Sequence, residues 1–129
     1  MAKINIAGLI ISAAVGISIG VGAERTLNAQ SPPVAYYVNE TRQTDPEAIK
    51  PYVTRVPAIV EKYGGRYLAR LGKIESLEGE PLKGGIVIIA FKSLADVRRW
   101  YDSPEYQEII GIRHKYAVSR NYAVEGLPN

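Results

Sequence analysis

Apolar residues fall along this chain in runs, and the spacing within each run predicts the elements one by one. Ile4 to Ala23 is an uncharged apolar stretch with no polar rhythm. Val34-Ala35-Tyr36-Tyr37-Val38, after Pro32-Pro33, is rich in β-branched and aromatic residues and predicts a first strand. Thr44-Asp45-Pro46-Glu47 has the form of a helix start: a capping side chain, proline at the first helical position and an acid in the first turn. Ile49, Tyr52, Val53, Val56, Ile59, Val60 and Tyr63 then recur at three- and four-residue steps, the stripe of an amphipathic helix. Pro51 and Pro57 each remove a backbone donor from it, which predicts a kink or a break.

Gly64-Gly65 ends this helix with a residue free to turn left-handed. Arg66 to Leu77 is strand-like, with Gly72 as a bulge or close-approach point, and Glu78 to Gly85 is a turn. Ile86 to Phe91 is apolar on both faces, so both faces call for cover. Ser93 caps a helix over Leu94–Tyr101, and Asp102-Ser103-Pro104-Glu105 restarts it as another carrying Tyr106, Ile109, Ile110 and Tyr116. Ser119 to Glu125 is a last strand. The order β-α-β-β-α-β is the ferredoxin-like split plan, an α+β fold with one four-stranded antiparallel sheet and its helices on one face. The other sheet face needs a cover, and a second copy of the domain, closing a dimeric α+β barrel, is the simplest one.

The N-terminal apolar run follows Lys3 and has no basic cluster after it, a polarity that favours export of everything downstream. Residues 1–29 therefore divide between a cleaved signal peptide, cut after Ala23 or Ala29, and an uncleaved anchor spanning the inner membrane through residues 4–23. Residues 30–33 are a linker and residues 34–127 the folded domain, expected in the periplasm or outside the cell.

Composition removes several classes of function. The 129 residues include no cysteine, which excludes disulfides, thiolate metal sites and a cysteine nucleophile. One histidine per chain excludes a histidine-rich metal site, and no metal or resident cofactor is expected. The formal charge of +3 comes from basic and acidic residues that alternate rather than cluster, unlike the concentrated basic face of a nucleic-acid binder.

Tyr63-Gly64-Gly65-Arg66-Tyr67-Leu68, Leu77-Glu78-Gly79, Trp100-Tyr101-Asp102-Ser103-Pro104-Glu105-Tyr106, Arg113 and Ser119-Arg120 together resemble the uncharacterised family numbered 1330 among the domains of unknown function. The resemblance runs from about Val34 to Leu127. It implies the dimeric α+β barrel superfamily, which includes cofactor-free monooxygenases, haem-degrading and dye-decolourising enzymes, and small-molecule isomerases.

Three sets of residues are candidates for chemistry. His114 is the side chain that titrates near neutrality and the first choice for acid–base catalysis; the competing role is an exposed histidine late in a helix. Arg66, Arg70 and Arg113 fall in or beside the family motifs and are candidates for a carboxylate or phosphate clamp, with Arg66 and Arg70 on one face of a strand by two-residue alternation. Trp100 and Tyr101, with Tyr36, Tyr37, Tyr67 and Tyr106, are candidates for lining a cleft between helices and sheet, or for core packing. The expected function is binding of a small aromatic or acidic molecule in a pocket of a homodimeric barrel. A cofactor-free oxygenase or isomerase and a structural protein without ligand are the alternatives.

Overall fold

A computed structural model describes residues 31–128; the predicted export segment, its candidate cleavage sites and the start of the predicted linker lie outside the described residues. The elements are β1 (Ala35–Gln43), α1 (Lys50–Lys62), β2 (Arg66–Arg70), β3 (Gly85–Phe91), α2 (Leu94–Tyr101), α3 (Pro104–Tyr116) and β4 (Ala117–Glu125). The sheet order is β2-β3-β1-β4 with every neighbouring pair antiparallel. This is the α+β ferredoxin-like arrangement expected from the chain, with its second helix divided into α2 and α3. Among the described residues no helix is long and apolar enough to cross a membrane.

Strand alternation sorts the sheet into two faces. Ala35, Tyr37, Ile89 and Phe91 point to the helices and join Val56, Val60, Val97, Trp100, Tyr106 and Ile109 in the core. The opposite face carries Val38, Ile86 and Ile88, half-buried, and Val118, Tyr122 and Val124, all exposed.

The helix signals act as the sequence predicts, with one displacement. Ser93 Oγ accepts from Asp96 N at 3.1 Å and Ser103 Oγ from Tyr106 N at 3.2 Å, so each caps its helix. Asp45 Oδ1 accepts from Ala48 N at 3.0 Å, but the turn it caps is a separate one, and α1 begins at Lys50. Pro51 therefore sits in the first turn, where its missing N–H is one the helix does not use. Pro57 lies inside α1, which continues past it without a break. The two glycines after α1 have different jobs. Gly64 adopts φ +84°, and a Cβ on Gly65 would come within 2.6 Å of Val60 Cγ1 and 2.8 Å of the Phe91 ring.

The strand predicted over Arg66–Leu77 is much shorter. It ends at Arg70 because Leu71 turns left-handed, at φ +54°, and leads the chain off the sheet into the irregular segment before β3. The bulge lies at Leu68 rather than Gly72: the register against β3 slips between Tyr67, opposite Ile89, and Ala69, opposite Ile88.

Candidate ligand-binding cavity

The helix-facing positions of β1 begin apolar and turn polar: Ala35, Tyr37, Asn39, Thr41, Gln43. Where they turn polar the helices stand off the sheet, leaving a cavity of about 50 Å³. Tyr37, Asn39 and Thr41 form its floor with Val87 and Ile89; Tyr52, Val53 and Val56 of α1, Trp100 of α2 and Arg113 of α3 close it from above. Tyr67, Arg70 and Leu71 lie along one side. Neighbouring polar residues on the floor satisfy one another, with Tyr37 Oη donating to Asn121 Oδ1 at 2.7 Å and Thr41 Oγ1 2.8 Å from Ser119 Oγ.

Trp100 holds the roof in place. Its ring meets Tyr37 edge-on at 4.9 Å, stacks on Phe91 at 5.5 Å and lies 4.5 Å from Tyr106. Tyr106 Oη in turn lies 2.9 Å from Tyr52 Oη, in hydrogen-bonding contact that ties α3 to α1. Burial pushes the Tyr37 and Tyr52 hydroxyls well above the ordinary phenol range, Tyr106 adds to this, and Arg113 pulls the other way. Both are neutral at physiological pH.

Arg113 is 3% exposed, and its Nε and Nη2 have no hydrogen-bond partner among the described residues. Burial opposes its charge, and the surrounding Tyr106, Tyr52 and Tyr37 more than offset this, leaving its pKa above the ordinary arginine value. Nε and Nη2 are the two nitrogens on one side of a guanidinium, the fork that receives both oxygens of a carboxylate. Two further buried polar atoms of the lining residues are unpaired among the described residues: Trp100 Nε1 and Asn39 Oδ1. A buried polar group without a partner costs on the order of 1–3 kcal/mol, more when charged, so this cluster is primed for a polar occupant.

Arg70 is held differently. Pro57 has no N–H to give Val53 O, the carbonyl four residues earlier, and Arg70 Nη2 donates to that oxygen at 3.0 Å while its guanidinium covers the Tyr67 ring at 5.1 Å.

Comparison with curated proteins gives no match. A family match spans residues 34–127, the whole of the sheet and all three helices. The chain belongs to this family, described as a domain of unknown function (DUF1330). Two solved structures share the fold of this DUF1330 domain. One is RPA0582 of Rhodopseudomonas palustris, a protein of unknown function, at 22% identity over 84% of this chain and 92% of that one, with TM-score 0.60. The other is SnoaB of Streptomyces nogalater, a cofactor-independent oxygenase, at 13% identity over 74% of this chain and 94% of that one, with TM-score 0.56.

Of the residues singled out from the sequence, Arg70, Trp100 and Arg113 meet at the cavity of this DUF1330 domain, with Tyr37 and Tyr67. Arg66 does not share a face with Arg70. The bulge between them leaves Arg66 opposite Ala90 on the uncovered side of the sheet and Arg70 opposite Val87 on the helix side. Tyr36 is also on the uncovered side, and Tyr101 lines a separate outer groove with Arg98 and Tyr122. His114 is exposed on α3, outside the cavity. Asn39 and Tyr52 were not among the sequence candidates for the site. Alternation from Tyr37 marks Asn39 as an inward polar residue, and Tyr52 belongs to the α1 stripe. For Arg113 the signal was its spacing: Tyr106, Ile109, Ile110 and Arg113 follow i, i+3, i+4, i+7, which puts a charge on the buried stripe of α3.

Proposed function

We propose that this domain binds a small organic acid in the cavity above β1, with the carboxylate on Arg113, and that it does so as an exported homodimer. The observation that carries the binding is the buried guanidinium with Nε and Nη2 unpaired. The volume of about 50 Å³ favours a short acid over an aromatic one. Binding is favoured over acid–base catalysis because the charged side chains in the lining, Arg70 and Arg113, are both cations and the buried phenols are neutral. The homodimer is supported by the apolar, uncovered sheet face, and export by the uncharged N-terminal run.

Thermal unfolding with a panel of short carboxylates at constant ionic strength tests the binding. An acid present at 100 times its Kd stabilises the folded protein by about 2.7 kcal/mol. Arg113→Met removes this response while leaving the empty protein as stable or up to about 3 kcal/mol more so, because an unpaired buried charge is gone. An unchanged response in Arg113→Met overturns the assignment. His114→Ala leaves the response intact. Native mass spectrometry of protein from the cell envelope reads export and assembly together, as two chains beginning after Ala23 or Ala29.

A further inference from the structure

We propose that the Arg113 cavity selects short 2-hydroxy monocarboxylates, of the size of glycolate and lactate, over the same acids without the hydroxyl. This rests on the acid-binding role proposed above and concerns what the acid carries at its second carbon. Among the described residues, the unpaired buried atoms of the lining residues are three donors, Arg113 Nε, Arg113 Nη2 and Trp100 Nε1, and one acceptor, Asn39 Oδ1. A carboxylate offers only acceptors. It satisfies the two arginine nitrogens side-on and has lone pairs left for the indole, but it gives Asn39 nothing. Asn39 is 6% exposed and its Oδ1 is already buried without a partner among the described residues, so an acid without a donor leaves that oxygen stranded, whereas a donor would satisfy it.

A donor at the second carbon resolves the mismatch, and its chemistry is constrained. An ammonium group is disfavoured because the charges lining the cavity are the cations Arg70 and Arg113. A 2-keto oxygen opposes its own lone pairs to those of Asn39. A hydroxyl is neutral and donates. Size sets the chain length: about 50 Å³ admits roughly four water-sized groups, which suits glycolate or lactate and leaves no room for a ring.

The test is calorimetric titration of the wild-type chain with glycolate, L-lactate and D-lactate against acetate, propionate, pyruvate and alanine at matched ionic strength. Glycolate and one or both lactates are expected to bind about tenfold tighter than acetate and propionate, the effect of one hydrogen bond to an otherwise stranded acceptor. In Asn39→Leu the hydroxy acids fall to the affinity of the plain acids, and acid binding itself survives. Equal wild-type affinities for lactate and propionate overturn the hydroxyl selectivity and leave the acid site standing. No binding by any acid overturns both. Should Asn39→Leu not fold, the wild-type ratio decides alone.

Discussion

Arg113 and Glu105 lie on the same helix and show how little a residue's charge says about its work. Glu105, in the first turn of α3, receives Lys62 Nζ at 2.5 Å and Tyr63 Oη at 2.6 Å from the end of α1. Lys62, then Tyr63, hold its carboxyl down at about 2. A depressed carboxylate stabilises the fold above its ordinary pKa, and that contribution disappears as pH falls from about 4.5 towards 2. Wild-type protein should therefore lose melting temperature faster than Glu105→Gln across that window, with a constant difference above about pH 5. Parallel curves throughout would show the contact to be idle. Arg113 has no carboxylate partner among the described residues, and its place on the apolar stripe was legible in the sequence. The separation of Arg66 from Arg70 was not, because nothing in Tyr67-Leu68-Ala69 announces a bulge.

At the scale of elements, capping and proline chemistry were readable in outline and shifted in place. The acid–proline pair at Asp45-Pro46 closes a turn of its own, so the helix starts four residues later. Pro57 leaves α1 unbroken, and its consequence lies on β2: the carbonyl it strands at Val53 becomes the anchor of Arg70. Pro57→Ala restores an N–H for that carbonyl and puts the helix in competition with Arg70. A double-mutant cycle of Pro57→Ala and Arg70→Met should give a coupling of about 0.5–1.5 kcal/mol in unfolding free energy. Additive effects would mean that Arg70 and the carbonyl do not support one another. Two-residue alternation likewise overextended β2, since the left-handed Leu71 comes from the tertiary path of the chain and not from a glycine.

For the molecule as a whole, the order of elements gave the layers, and the apolar outer face of the sheet gave the need for a cover. Val118 is 59% and Val124 52% exposed in the single chain, so an acid at either position should spare the fold of one chain while placing charge on the uncovered face. For the proposed homodimer closed through this face, Val118→Asp and Val124→Asp are expected to halve the mass seen by light scattering with little change in circular dichroism. A variant that keeps the wild-type mass argues that copies meet elsewhere. The cavity was not legible at this scale, because its existence depends on how far the helices stand from the polar end of β1.

β1 faces both ways. Tyr37, Asn39 and Thr41 look into the cavity, while Tyr36, Val38 and Glu40 look out from the bare side of the sheet. Saturation mutagenesis along this strand should therefore produce two alternating phenotypes with the period of the pleat. Changes at Tyr37 and Thr41 would weaken the response to acid, and a change at Asn39 its preference for hydroxy acids, in protein that still assembles; changes at Tyr36, Val38 and Glu40 would leave the response and dissolve the assembly. A strand only nine residues long would then carry two separable genetic functions, interleaved one residue apart.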